Sequence, residues 1–252
     1  MPQRFTYGTH PEQFGELTLP PAGQTARGKV VIIHGGYWRS KYSLELGRPL
    51  AADLAGRGWA AVNLEYRRAG NGGGWPQTFE DISAGIDALA ELEELAGVPG
   101  PVIALGHSAG GQLAVWAAGR KTPRVPLAAV VSQSGVLDLQ RAHELGLSSS
   151  AAENFLGASP EIDPERWKAA DPVRQVPAPV PVFVLHGTED ITVPVELAEN
   201  YVRAAKAAGG TAELRPIPGD HFEMITPATP GWTGVLRALE DAAERLPGSA
   251  AG

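Results

Sequence analysis

The stretch Pro101-Val102-Ile103-Ala104-Leu105-Gly106-His107-Ser108-Ala109-Gly110-Gly111, running on into Gln112–Ala118, decides how this chain is read. Its first half is a short apolar run of strand length. Its second half is rich in alanine, the best helix former. Between them Gly106-His107-Ser108-Ala109-Gly110 matches G-x-S-x-G, which sets one serine on a tight strand-to-helix turn. Small residues on either side let the two backbones approach closely. The hydroxyl then stands near a helix N-terminus, where developing negative charge is favoured. The pattern alone is weak, because a chain with 31 glycines produces it by chance about 0.17 times. Its place between an apolar strand and an alanine-rich helix sets it apart from an ordinary glycine-rich turn.

Outward from this unit the same alternation recurs. Strands are expected at Lys29–Ile33, Trp59–Tyr66, Pro101–Gly106, Val125–Ser132, Pro181–His186 and Ala212–Ile217. Helices are expected at Leu44–Arg57, Pro76–Ala96, Ala109–Ala118, Pro194–Ala208 and Trp232–Leu246, the second from the spacing of Phe79, Ile82, Ile86, Leu89 and Leu92. Strand and helix in turn require crossover connections, hence an α/β fold with a mainly parallel sheet. The wholly apolar runs VVII, VIAL and VFVL fit strands covered by helices on both faces. Phe5–Tyr7 and Glu16–Leu19 read as an antiparallel edge. Residues 136–180 break the alternation, with Ser148-Ser149-Ser150, Pro160, Pro164 and Pro172, and read as a small lid or pocket-side insertion. No linker or repeat divides residues 1–252, so one domain is expected.

Composition narrows the function. Acidic residues outnumber basic ones 28 to 21, for a net charge of −7, so the basic footprint of a phosphate-backbone binder is missing and no nucleic-acid partner is expected. With no cysteine there is neither disulfide nor thiolate nucleophile nor thiolate metal site. The start, MPQRFTYGTHPEQFG, has no apolar signal region, and no apolar run approaches the roughly 18 residues of a span. A cytoplasmic protein that engages no membrane is expected. No H-x-x-x-H pair, Walker loop or G-x-G-x-x-G after the first strand is present, so neither metal nor cofactor is expected. A homodimer is the base-rate expectation.

Ligands of parallel sheets bind beyond the carboxyl ends of the strands. Those ends carry His34-Gly35-Gly36-Tyr37-Trp38, Gly106–Gly110, His186-Gly187-Thr188-Glu189-Asp190 and Gly219-Asp220-His221-Phe222. A serine hydroxyl needs a base to become a nucleophile, and the base needs an acid to orient it. Of six histidines, His221 lies on the last of these loops; His10 and His143 read as surface residues, His107 as facing away from Ser108, His34 and His186 as bonded to backbone or packed. Asp190 is favoured as the acid over Glu189, a solvated neighbour, with Asp220 badly placed for the ring and Asp138, before the expected acid strand, structural or pocket-side. Backbone donors for an oxyanion would come from Ala109, directly after the serine, and from the His34–Tyr37 loop. Tyr37 and Trp38 either wall an acyl or aryl pocket or pack against the early strands; Phe222 and Met224 either line a pocket or belong to the core.

These residues resemble the α/β-hydrolase superfamily over nearly the whole chain. The glycine pair of His34-Gly35-Gly36 looks like that of the hormone-sensitive-lipase-like esterases. The fuller string His34-Gly35-Gly36-Tyr37-Trp38, with Ser134-Gly135-Val136-Leu137-Asp138-Leu139 and Asp220-His221-Phe222-Glu223, is similar to the arylformamidase (kynurenine formamidase) branch. Tyr37 departs from the lipase-like pattern, which has a small residue there, and the long N-terminal cap helices of that group have no counterpart in the 28 residues before Lys29. The resemblance implies a triad of Ser108, Asp190 and His221, oxyanion donors at Gly36, Tyr37 and Ala109, and a small-molecule acyl substrate. The implied reaction is removal of N-formyl from an arylamine such as N-formyl-kynurenine, with a small-acyl carboxylesterase as the alternative. A reading of another class is a non-catalytic ligand-binding protein on the same fold.

Overall fold

The computed structural model describes residues 2–245. Eight strands form one sheet: β1 (Gln3–Thr6), β2 (Phe14–Thr18), β3 (Lys29–Ile33), β4 (Ala60–Leu64), β5 (Val102–His107), β6 (Ala129–Gln133), β7 (Val182–Gly187) and β8 (Ala212–Ile217). Their order is β1-β2-β4-β3-β5-β6-β7-β8. From β4 to β8 all pairs are parallel, and β1 and β2 add an antiparallel edge. Eight α-helices accompany them: α1 (Arg48–Gly56), α2 (Gln77–Asp87), α3 (Ala109–Ala118), α4 (Leu139–Glu144), α5 (Leu147–Leu156), α6 (Pro164–Ala170), α7 (Glu196–Ala207) and α8 (Pro230–Glu244). The expected last helix ran to Leu246, which lies outside the described residues.

The period of two along each strand builds two cores. Val30 and Ile32 of β3 join Leu50, Leu54, Trp232, Val235 and Leu239, so α1 and α8 cover one face. Val31 and Ile33 join residues of α2, α3, α5 and α7 on the other. Both faces being buried explains why the central strands lack alternation in the sequence.

One element differs from the periodicity. The apolar spacing continues past Asp87, yet α2 stops there and gives way to short 3₁₀ turns at Ala88–Ala90 and Glu93–Leu95. Arg120 donates to the Ser83 carbonyl at 3.0 Å and to Asp87 at 3.0 Å, and the Val125 N–H also donates to Asp87. The last turn of α2 is thus tied to the segment that leads into β6. Residues 136–180 hold α4, α5 and α6 and pack on α3. Gln112 of α3 donates to the Ala170 carbonyl at 2.9 Å, and Trp116 to that of Ala169 at 3.1 Å.

The approach of α3 to the sheet is close enough to dictate residue type. A Cβ on Gly106 would stand 2.2 Å from the Gly110 carbonyl oxygen, and one on Gly110 would stand 2.0 Å from that of Ile33. Both atoms belong to backbone and cannot give way. Gly56, at the end of α1, has nothing within 4 Å of that position. Gly110→Ala is therefore expected to cost at least the roughly 1–3 kcal/mol of overpacking, whereas Gly56→Ala should gain about 0.4–1 kcal/mol. Urea-unfolding midpoints of the two variants, moving in opposite directions from the parent, check both.

Candidate active site

Four strand ends, those of β3, β5, β7 and β8, supply the site. Ser108 follows β5 directly and caps α3 at φ 54°, ψ −118°, a conformation costly for a residue with a side chain. The fold clamps it there: its N–H donates to Gln133 at 2.8 Å, and its carbonyl accepts from Gly111 at 2.9 Å and Val136 at 3.2 Å. A Cβ on Gly35 would lie 3.0 Å from that of Ser108, so the loop after β3 rests against the serine.

The candidate acid and the candidate base meet from separate loops. Asp190 Oδ2 accepts from His221 Nδ1 at 2.7 Å, while Oδ1 accepts from the N–H groups of Thr192 and Val193 at 2.8 and 2.9 Å. Burial by itself would raise the Asp190 pKa. The His221 hydrogen bond, the Val193 N–H, the His221 charge and the Ser134 hydroxyl outweigh it and hold the carboxyl well below its usual range. Because a carboxylate only accepts, the His221 proton sits on Nδ1 and leaves Nε2 with a lone pair. Glu189 is exposed, and Asp220 spends Oδ1 on the N–H groups of Phe222 and Glu223. Asp138 caps α4 and accepts from Asn200 at 2.8 Å.

Sequence reasoning missed what holds His221 in place. His107 does not simply face away: its Nε2 donates to the His221 carbonyl at 2.9 Å, and the two rings lie 4.6 Å apart. Gln133, at the end of β6, donates to the Met224 carbonyl at 2.6 Å and pins the same loop. Ser134, next along, stands at φ 46° beside Asp190. All three lie at carboxyl ends of strands, which is the signal that would have singled them out.

The loop after β3 is held from below by a buried ionic cluster. His34 donates from Nδ1 to the Gly35 carbonyl at 2.8 Å and stacks on Tyr66, whose hydroxyl donates to the His34 carbonyl at 2.7 Å. Glu65 and Arg68, both buried, pair with each other beside it, and Arg68 also reaches Glu12. Glu65 further accepts from the Leu44 N–H at 3.0 Å. Gly36 takes φ 114°, and Tyr37 takes φ 49°. Among the described residues the backbone N–H groups of Gly36, Tyr37 and Ala109 have no acceptor.

The three aromatic candidates separate. The Tyr37 hydroxyl, its pKa pushed up to about 12 by burial and the Asp190 charge, donates to the Thr192 carbonyl at 2.8 Å and ties two loops together. Trp38 is buried, stacked on Phe155 at 4.7 Å and bonded to Gln112, so its ring is taken up by packing between α3 and α5. Phe222 is half exposed beside His221, and Met224 is buried in the core. No group of three or more His, Asp or Glu among the described residues is arranged to hold a metal. No helix there is long and apolar enough to cross a membrane.

A family model described as BD-FAE matches residues 16–204. Among curated proteins the chain is similar to esterase LipC of Mycobacterium tuberculosis, 27% identical over 94% of this chain and 64% of that protein. It is likewise similar to isoprenylcysteine alpha-carbonyl methylesterase ICME of Arabidopsis thaliana, 28% identical over 82% of this chain and 53% of that protein. The chain thus spans about half to two thirds of the length of these relatives. Among solved structures, esterase B from Lactobacillus rhamnosis superposes with a TM-score of 0.82 at 21% identity, over 95% of this chain and 83% of that one. A truncated carbohydrate esterase from gut microbiota gives 0.81 at 19% identity, over 96% and 97%. At these identities the likeness shows the fold, the α/β-hydrolase fold.

Buried histidines make stability depend on pH. Burial, foremost, lowers His34 and His107 to about 3 and also lowers His186. The His34 and His107 rings are neutral in the fold above about pH 3 but bind protons in the unfolded chain below about pH 6.5, so stability falls as the pH drops through that range, and His186 acts in the same direction. Asp171 opposes this: burial lifts its carboxyl to about 7, so between its usual 3.8 and 7 the fold binds the extra proton. The net expectation from His34, His107 and Asp171 is a slope of about one proton, about 1.4 kcal/mol per pH unit, between roughly pH 4 and 6.5, which His186 steepens. His107→Gln should flatten it by about one proton, as read from urea midpoints at pH 4.5, 5.5 and 6.5.

Proposed function

The chain belongs to the BD-FAE family, and we propose that it is a serine hydrolase that cleaves carboxylic esters of small acyl groups through an acyl-enzyme on Ser108. The observation that carries this reading is the 2.7 Å bond from His221 Nδ1 to the buried Asp190 carboxylate, on the loops next to a serine at φ 54°. That bond leaves His221 Nε2 to take the Ser108 proton as Oγ attacks the acyl carbon. The same nitrogen then returns the proton to the leaving alcohol. Asp190, kept ionised, stabilises the imidazolium that forms in between. The negative charge that gathers on the substrate carbonyl would fall to the free N–H groups of Ala109, Gly36 and Tyr37, each such donor being worth about 2.7–4 kcal/mol. A water molecule, activated by the same base, completes the cycle.

The relatives' names favour an ester. The formamide reading of His34-Gly35-Gly36-Tyr37-Trp38 rests on the likeness of that string to the arylformamidase branch, and an acyl-enzyme serves either bond. Paired kcat/KM values for p-nitrophenyl acetate and N-formyl-kynurenine separate them. The expected outcome is ester turnover well above formamide turnover; a formamide preference of several orders of magnitude would replace the ester reading.

Ser108→Ala should lower kcat by about six orders of magnitude, and Asp190→Asn by about four. Activity that survives the serine variant, or failure of Ser108 to react with an active-site phosphonate, would turn the reading towards a ligand-binding protein.

A further inference from the structure

Seven large hydrophobic side chains stand exposed among the described residues, and three of them, Ile191, Val195 and Phe222, sit on the two segments that carry Asp190 and His221. Ile191 is 98% exposed and Phe222 53%. Neither is on a loose loop. The Phe222 N–H donates to Asp220 at 2.8 Å, and its carbonyl accepts from the Ile225 N–H and the Thr226 hydroxyl, each at 3.0 Å. Ile191 lies between Asp190, whose carboxylate takes the N–H groups of Thr192 and Val193, and Thr192, whose carbonyl takes the Tyr37 hydroxyl. The Phe222 ring stands edge-on to the His221 ring, 5.2 Å away at 90°, with half its surface open. Exposed apolar groups on pinned backbone lose water at little ordering cost when a ligand covers them.

The chemistry says which part of a substrate lies there. As the Ser108 Oγ–acyl bond forms, the ester C–O bond breaks, and the proton taken from Ser108 passes from His221 to the departing oxygen. The alcohol therefore leaves beside the His221 ring, and whatever it carries meets Phe222, whose ring abuts that of His221, with Ile191 exposed on the loop that carries Asp190. The other charged side chains of these loops, Glu189, Asp220 and Glu223, are all acidic, which disfavours an anionic leaving group. Resting on the esterase reading above, we infer that Phe222 and Ile191 form a leaving-group platform that selects esters of bulky, neutral, apolar alcohols.

The test holds the acyl group constant and changes only the alcohol, comparing 2-phenylethyl acetate with methyl acetate. The parent should prefer the phenylethyl ester, and Phe222→Ser should cut the ratio of the two kcat/KM values by about tenfold, mainly through KM. Phe222→Leu should keep most of the ratio, and Ile191→Ser should move it in the direction of Phe222→Ser. A ratio unchanged by Phe222→Ser overturns the proposal. So does an equal loss on both esters, which would make Phe222 only a support for His221. A rate that jumps on phosphatidylcholine vesicles and loses only that jump in the variants would reassign the patch to lipid docking. A parent that turns over neither ester removes the esterase reading itself, which is a different failure from a flat ratio in an active enzyme.

Discussion

The backbone of α3 touches the backbones of β3 and β5, and most of what this molecule can do follows from that contact. No side chain fits between the helix start and the strand ends, so Gly106 and Gly110 are the residues that permit it. The chain must then reverse within one residue, and Ser108 absorbs the turn at positive φ. Such a conformation survives only where the surroundings over-determine it. Here the surroundings are Gln133, Gly111 and Val136, which take up every backbone group of the serine. The serine is thereby fixed at the carboxyl edge of the sheet, its backbone bonded on both sides.

The loops that face Ser108 are held by buried polar groups, each anchored to a strand end. Below the glycine loop, Glu65 and Arg68 pair out of water, a contact whose worth depends on every remaining donor and acceptor being met. Glu65 meets this by taking the Leu44 N–H and the Tyr66 N–H as well as the guanidinium, whereas the Arg68 Nε is buried without a partner among the described residues. On the other side His107 and Gln133 hold the carbonyls of His221 and Met224. Such a network favours position over stability: two of its histidines, His34 and His107, are buried neutral and therefore weaken the fold in acid.

Trp38 and Phe222 show how differently two aromatic residues beside a site can be used. Both follow a site loop directly in the sequence. Trp38 is drawn inward by Phe155 and Gln112 and stiffens the join between α3 and the 136–180 helices. Phe222 is held outward by a backbone bonded on both sides, and so offers its ring to whatever approaches His221. The difference lies in partners brought in from α3 and α5, which local sequence does not reveal.

Much was legible from the residues alone. Apolar runs alternating with helical spacing specify a parallel α/β sheet, because period and burial are local properties of the chain. The glycine spacing around Ser108 marks the tight turn, because only steric demand requires it. Chain order put Asp190 and His221 on loops at one sheet edge. What the tertiary structure decided is which groups meet: that His221 reaches Asp190 through Nδ1, that His107 grips the backbone of His221 from 114 residues away, and that α2 ends at Asp87, where Arg120 takes the Ser83 carbonyl and the Asp87 carboxylate. The reason is physical. Hydrogen-bond partners far apart in sequence are chosen by the relative placement of strands and helices. No window of residues contains that information until the sheet has assembled.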